Sequence, residues 1–355
     1  MADVRRREAP TLLVTCGDPA GIGPEVVCKA WAATPAHDRA RLRVVVDPDV
    51  LAGALEAGGT QVPRSRVVID AADPRPSRPD EVLVVRPRGS SGVPDGSVLA
   101  ARGRAAAAAV ETAIALVLAD RAAAIVTGPL HKEALHAAGY DVPGHTELLA
   151  RACGLPDDAV SMMLWLPSAD GPGGLGVVHA TLHEPLRTAV GRLTTAGIVA
   201  AGRRIAPVLE ALLGRAPRIA VAALNPHGGE GGLFGDEEAR LVAPAVAELR
   251  AAGVDATGPL PADTLFLRAA GGGFDGVVAL YHDQGHIPIK LLGMHRAVNV
   301  TLGLPLVRTS VAHGTALDIA GTGVADPSSM LAAIAASERL IAAGRAAEAA
   351  ASAPA

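Results

Sequence analysis

An α/β protein of two lobes is predicted by three features of the sequence. Short aliphatic runs alternate with alanine-rich helical stretches, and 40 glycines and 27 prolines punctuate the changes between them. A chain of 355 residues is long enough for two medium cores. Only 2% of residues are aromatic against 50% apolar overall, so both cores are aliphatic.

Thr11 to Thr15 reads as a strand that breaks at Gly17-Asp-Pro-Ala-Gly-Ile-Gly-Pro-Glu25, and a helix resumes near Val26. Strand, glycine turn and helix bring backbone close to a ligand, with negative charge favoured at the helix N-terminus. The turn has neither the Gly-Lys-Ser/Thr of a phosphate loop nor the spacing of a dinucleotide fingerprint. Leu42 to Val46 and Glu81 to Val85 are further strands, and Asp70 to Asp80 is a proline-rich surface loop. Leu99 to Ala119 is a long helix leading into strand Ala123 to Thr127, which ends in Thr127-Gly-Pro-Leu-His-Lys132. A second turn follows at Pro143-Gly-His-Thr-Glu147. Lys132, His145 and Thr146 are candidates to hold an anion, Lys132 being equally a solvated first-turn residue.

Ser161 to Leu166 and Leu175 to Leu182 are strands, the second ending in His179-Ala-Thr-Leu-His183-Glu-Pro. The helical stretch Val190 to Leu213 is expected to kink or split at Pro207. Strand Arg218 to Leu224 ends in a glycine-loosened turn, Asn225-Pro-His-Gly-Gly-Glu-Gly-Gly-Leu-Phe-Gly-Asp-Glu-Glu238. Asp263 stands near a helix start, where capping is the ordinary role of an aspartate. The apolar run Val277 to Leu280 then delivers Tyr281-His-Asp-Gln-Gly-His-Ile-Pro-Ile-Lys290. Two histidines, a carboxylate, an amide and a lysine within ten residues mark this stretch as active-site wall, because α/β sheets bind ligands at strand carboxyl ends. Strands Ala297 to Leu302 and Pro305 to Arg308 follow, then Thr309 to Gly323, an alanine-rich helix from Ser329, and a frayed tail over 346–355.

Composition narrows the function. A net charge of -4 and the scarcity of aromatic rings argue against nucleic acid as a partner. Cys16, Cys28 and Cys153 lie apart without metal or redox spacing, which suits packed thiols in a reducing compartment. Met1 to Pro10 is too polar for a signal peptide, and no window reaches the roughly 18 apolar residues of a membrane helix. A cytoplasmic protein is expected, with no membrane partner.

His183, His227 and His282 each stand near the carboxyl end of a predicted strand. Three imidazoles converging from separate strands can hold a divalent cation with positions open for substrate, whereas each alone is an ordinary loop residue. Lys290, Arg296 and Arg308, with Asn299 between them, supply cations for a phosphate or carboxylate; Arg296 fits a solvated rim as well.

Gly17 to Glu25, Thr127 to Lys132, Pro143 to Glu147, Asn225-Pro-His-Gly-Gly-Glu230, Gly258-Pro-Leu-Pro-Ala-Asp-Thr264, Tyr281-His-Asp-Gln-Gly285 and Val298-Asn-Val-Thr-Leu-Gly-Leu-Pro305 together resemble the PdxA family. Its members are NAD-dependent 4-hydroxythreonine-4-phosphate dehydrogenases, and the resemblance covers roughly residues 11 to 340 in order. More distantly, Gly17 to Glu25 and His313 to Gly321 resemble motifs of isocitrate and isopropylmalate dehydrogenases, which bind NAD without a Rossmann glycine loop.

The resemblance implies a two-lobed α/β/α sandwich with its active site between the lobes. Residues 1–135 plus 297–345 would form the NAD-side lobe, and 136–296 the metal, substrate and dimerisation lobe. His183, His227 and His282 would be the metal ligands for Zn, Mg, Mn or Co. His145, Thr146, Lys290, Asn299 and Arg308 would contact the phosphorylated substrate. Gly17, Asp18, Gly21, Gly23, His313, Gly314 and Asp318 would line the site of NAD, or of NADP. The implied protein is a homodimer in which the partner supplies the residue matching His282. The implied reaction oxidises a secondary alcohol by hydride transfer and then decarboxylates the 3-keto acid. Lys290 would carry a proton, and Asp263 and Asp283 would orient a ligand or the lysine.

Two positions and one segment depart from the family pattern. Ala312 stands where an aspartate commonly precedes His-Gly-Thr, and Glu184 stands where an apolar residue is frequent. His286 to Gly293 looks more like the branch acting on D-threonate or D-erythronate 4-phosphate, while Thr127 to Lys132 resembles the vitamin B6 branch. Both substrates stay open, as do two other classes: a three-histidine metal hydrolase and a non-catalytic binding protein.

Overall fold

Aliphatic runs become strands wherever the sequence alternates them with helical stretches. A computed structural model describes residues 9–57, 61–89, 97–142, 145–156, 159–169 and 173–351. The first eight residues, Pro143 and Gly144 of the second predicted turn, and the predicted tail from 352 onward lie outside the described residues.

In chain order the elements are β1 (Thr11–Thr15), α1 (Gly23–Ala33), β2 (Arg41–Val45), α2 (Val50–Ala57), β3 (Ser65–Val68), β4 (Glu81–Val85), α3 (Val98–Leu118), β5 (Ala124–Thr127), α4 (Lys132–Ala137) and α5 (His145–Ala152). Then come β6 (Ser161–Pro167), β7 (Gly174–His179), α6 (Leu186–Arg192), α7 (Thr195–Leu213), β8 (Ile219–Ala222), α8 (Ala243–Ala251), β9 (Ala256–Leu260), α9 (Ala262–Ala270) and β10 (Gly276–Ala279). The chain closes with α10 (His282–Gly293), β11 (Val298–Leu302), β12 (Val307–Val311) and α11 (Ser328–Ala351).

The chain divides into two units, residues 1–159 with 304–342 and residues 160–303 with 343–355. In the first unit the strand order is β3-β4-β2-β1-β5-β12, with every pairing parallel. Parallel strands are covered on both faces, so they read as unbroken aliphatic runs. Leu12, Leu13, Leu42, Val44, Leu83 and Ile125 are accordingly buried, each contributing roughly 1.5–3 kcal/mol by leaving water. Helix α3 starts at Ser97, whose side chain accepts from the Ala100 N–H at 3.2 Å. It packs so closely on α4 that a Cβ at Gly103 would lie 1.9 Å from the Ala134 carbonyl oxygen.

In the second unit the order is β11-β6-β7-β10-β8-β9. β6 runs antiparallel to both β11 and β7, while β7, β10, β8 and β9 are parallel. Val177, Val178, Ile219, Val221, Val277 and Val278 form the buried centre.

Three local expectations are corrected. The predicted helix 190–213 breaks at Leu193 and Thr194 rather than at Pro207. Thr194 is extended, and its hydroxyl accepts from the Gly197 N–H, so it starts α7 anew; Pro207 sits inside that helix, which runs on to a left-handed Gly214. Strand β7 stops at His179, three residues before Leu182, although the Ala180 and Thr181 N–H groups still donate to the Ala279 and Leu280 carbonyls. Asp263 does not cap α9: Pro261 holds that position, with no side-chain cap bond.

Candidate active site

Because β7, β10, β8 and β9 are parallel, their carboxyl ends share one sheet edge. His179 is the last residue of β7 and pairs in register with Ala279 of β10. His183 follows β7, His227 follows β8, Asp263 enters the helix after β9, and His282 opens the helix after β10. The predicted histidines of this unit thus stand along the edge where ligands of parallel sheets bind.

Buried Gln284 fixes the turn from β10 to α10. Its side-chain oxygen accepts from the Leu280 N–H at 2.7 Å, and its amide donates to the Ala223 carbonyl at 2.7 Å, tying the end of β10 to that of β8. His282 Nδ1 lies 2.6 Å from Asp283 Oδ1. A carboxylate accepts there, so Nδ1 carries the proton and Nε2 keeps its lone pair for a ligand. His282, His286 and Lys290 follow at spacings of four, which places them along one face of α10, with Lys290 exposed.

Two further histidines of the quoted motifs, His179 at the end of β7 and His286 in the Tyr281–Lys290 stretch, carried no metal or substrate role in the sequence reading. The His286 ring stacks on His282 at 3.8 Å between centroids and 11° between planes, and the His179 ring lies 4.6 Å from His286. His286 Nδ1 is 3.1 Å from His179 Nε2 and 3.3 Å from the His282 carbonyl. The carbonyl only accepts, so His286 Nδ1 donates and His179 Nε2 accepts. Gly285 permits this approach: a Cβ there would fall 2.4 Å from His179 Nε2. Burial, then the neighbouring imidazoles, hold His179 well below the ordinary histidine range. Burial, His282 and Lys290 bring His286 down to about 4. Both are neutral at neutral pH.

His227 sits in an unusual backbone. Residues His227 to Gly231 all have positive φ, with His227 at 53° and Glu230 at 44°. Left-handed non-glycine residues are strained and persist where the surroundings hold them. Beside the base of this turn stands Glu238, which is buried. Its carboxylate accepts from the Leu224 N–H at 2.8 Å, the Asn225 N–H at 2.7 Å and the Asn225 side-chain amide at 3.0 Å. Burial raises the Glu238 carboxyl, but these donors outweigh it and leave it below the usual carboxylate value.

His183 and His282 line one cavity of about 300 Å³ together with Leu182, Glu184, Tyr281 and Asp283. Their ring centres are 5.7 Å apart. Two imidazoles sharing an ion through nitrogens about 2 Å from it have ring centres on the order of 5–6 Å apart, so this pair fits a divalent cation. Glu184 beside them is engaged by Arg192 at 3.2 Å. Among the described residues of a single chain, no three His, Cys, Asp or Glu side chains group closely enough to hold an ion. The structure therefore brings His183 and His282 together and does not bring His227 into a group of three. Asp263 is exposed on α9. Asn299, on β11, directs its amide to Met162 Sδ at 3.0 Å.

In the first unit, the glycine turn after β1 is packed against two other loops. A Cβ at Gly17 would lie 2.1 Å from the Pro129 oxygen, at Gly21 2.7 Å from the Thr315 oxygen, and at Gly23 1.8 Å from the Cys16 oxygen. The Ile22 N–H donates to the Thr315 carbonyl, joining the turn to the loop of His313, Gly314 and Asp318. Both Asp18 oxygens are gripped by Arg102, at 2.9 and 2.7 Å, and Oδ1 also accepts from the Ala20 N–H. His313 Nδ1 donates to the Gly314 carbonyl at 2.9 Å, which leaves Nε2 as an acceptor. Asp318 and Gly314 are exposed. Ala312 turns its N–H to Ser329. Arg308 is buried and donates to the Thr127 hydroxyl; burial brings its guanidinium down to about 9. A buried cation at the end of β5 is suited to an anionic ligand. Thr146 is half-buried in the first turn of α5, which His145 opens.

Known proteins place this arrangement in a class. A protein of Beijerinckia indica named 4-hydroxythreonine-4-phosphate dehydrogenase is 45% identical over 323 residues, covering 90% of this chain and 91% of its own. One of Cupriavidus necator named D-threonate 4-phosphate dehydrogenase is 45% identical over 334 residues, covering 92% and 95%. The crystal structure of a 4-hydroxythreonine-4-phosphate dehydrogenase from Klebsiella pneumoniae superposes with a TM-score of 0.79 at 41% identity, covering 95% of this chain and 99% of that one. Fold and relatives together define an α/β dehydrogenase. The family described as pyridoxal phosphate biosynthetic protein PdxA matches residues 38–337, and the chain belongs to it.

Proposed function

We propose that this protein oxidises the secondary alcohol of a 4-phosphorylated four-carbon hydroxy acid, using NAD and a divalent metal, and that the 3-keto acid then decarboxylates. The observation that carries this reading is the near pair His183 and His282, 5.7 Å apart at a parallel-sheet edge, in a chain of a dehydrogenase family. His183, His227 and His282 would hold the metal, the set being closed across a homodimer. Exposed Leu186, Val190, Ile287, Leu291, Leu292 and Met294 on and beside α6 and α10 support an apolar contact between two copies.

When bound, the metal supplies Lewis-acid stabilisation of negative charge on the reacting oxygen, and NAD supplies the hydride acceptor. Asp283 keeps the His282 Nε2 lone pair outward. Lys290 takes the hydroxyl proton as hydride leaves carbon, and returns a proton to carbon once carbon dioxide has gone. Arg308, Asn299, His145 and Thr146 hold the phosphate. Asp18 serves the cofactor through Arg102, by fixing the Gly17–Gly23 turn beside the His313–Asp318 loop. The half-buried His313 offers Nε2 as an acceptor. Asp263, exposed at the same sheet edge, is free to orient a ligand.

Among the described residues no helix is long and apolar enough to cross a membrane. The substrate reading has two forms, because relatives of equal identity are named for different four-carbon phosphates. NADH formation with added Zn, Mg, Mn or Co, comparing 4-phosphohydroxy-L-threonine with D-threonate and D-erythronate 4-phosphates, decides between them. Turnover of the amino acid alone assigns vitamin B6 synthesis; turnover of the sugar acids alone assigns their breakdown. A folded, metal-loaded dimer inactive on all three with both NAD and NADP refutes the substrate class, and phosphoester hydrolysis without NAD would favour a hydrolase.

A further inference from the structure

The turn that presents His227 is held by a carboxylate more than ten residues further along the chain. Glu238 Oε1 receives the N–H groups of Leu224 and Asn225, the residues that join β8 to the turn. Glu238 Oε2 and Glu237 Oε2 grip the Asn225 side-chain amide at 3.0 and 2.7 Å. The turn also packs on this carboxylate directly, since a Cβ at Gly229 would lie 2.8 Å from Glu238 Oε2. From this anchored base the backbone makes its left-handed course through His227 and Glu230, a conformation that non-glycine residues leave when nothing opposes it. Gln284 fastens the neighbouring Ala223 carbonyl to the end of β10, so the base of the turn is fixed from both sides.

From this geometry we infer that Glu238 is a positioning residue: it holds His227 in the left-handed turn and thereby sets the donor at the metal site. The inference rests on the reading of His227 as a metal ligand. Glu238 is buried, and its effect passes through the backbone of Leu224 and Asn225.

Cobalt(II) titration of the full-length protein, followed by its visible absorption, tests this apart from turnover. Wild type is expected to bind with the spectrum of a nitrogen-ligated site. Glu238→Gln puts an amide donor against the Asn225 amide, and should weaken cobalt about 10- to 100-fold, the range found for residues that orient ligands. It should also change the spectrum and lower kcat more than it raises KM. Gly229→Ala strikes the same clamp from the turn side and should act in the same direction, so the test survives if one variant folds poorly. His227→Ala is the reference. If His227→Ala binds cobalt like wild type, the ligand reading falls and this inference with it. If His227→Ala loses cobalt while folded Glu238→Gln and Gly229→Ala keep wild-type affinity and spectrum, the ligand reading stands and Glu238 is merely structural.

Discussion

The turn after β1 and the turn after β8 look alike in sequence, each a glycine-rich break between a strand and a helix, yet Gly23 in the first and Gly231 in the second answer different demands. At Gly23 the backbone is ordinary and the demand is space, since Cβ would collide with the Cys16 carbonyl at 1.8 Å. At Gly231 the surroundings are open, with nothing within 4 Å of a Cβ, and the demand is a φ of 66°. The charged groups differ too. Asp18 and Glu25 are consumed inside the first turn by Arg102 and by Lys29 with the Ala325 N–H. In the second, Glu238 is consumed so that His227 stays exposed. One turn is built to be a rigid surface, the other to offer a side chain.

Substitutions sharpen this contrast. His282→Ala, at the metal edge, should lower kcat/KM about 10³-fold, roughly 4 kcal/mol, with the fold kept. Steady-state kinetics beside a thermal melt check both halves. Gly23→Ala should cost on the order of 3 kcal/mol or more in urea unfolding, because backbone rather than a side-chain tip must move. Arg102→Leu leaves Asp18 buried without its partner and should destabilise by about 3 kcal/mol, with weaker NADH binding read by fluorescence. Gly231→Ala should cost only about 1–2 kcal/mol, the left-handed penalty. Equal losses for Gly23→Ala and Gly231→Ala would erase the distinction between the turns.

The smallest effect is in pH dependence. The unfolded chain protonates His286 near the ordinary histidine value of about 6.5, whereas the fold delays this to about 4. Its contribution is complete above the ordinary value and is lost as pH falls through that window. Between pH 6.5 and 5.5 the loss should stay under about 1 kcal/mol, and His286→Leu should flatten the slope of melting temperature against pH.

The strands were legible because their aliphatic runs end in glycine, proline and polar clusters, and parallel pairing then forced His183, His227 and His282 onto one edge. The restart of α7 was not, because the Pro207 signal masked the weaker Thr194 cap. His286 was counted in the Tyr281–Lys290 stretch and His179 in the motif that ends β7, but the meeting of their rings was not legible; the His-x-x-Gly-His spacing around Gly285 was the available signal. Glu238 was hidden among consecutive acidic residues that look like a solvated helix start. Only the fold returns that carboxylate to Leu224 and Asn225.

The most direct test of the account is NADH formation on the preferred 4-phosphate substrate before and after a chelator has been dialysed in and removed. The account predicts that turnover disappears with the metal and returns with added Zn, Mg, Mn or Co, while the residual turnover of His282→Ala is not restored to the wild-type level by any of them. Unchanged turnover after chelation would contradict it.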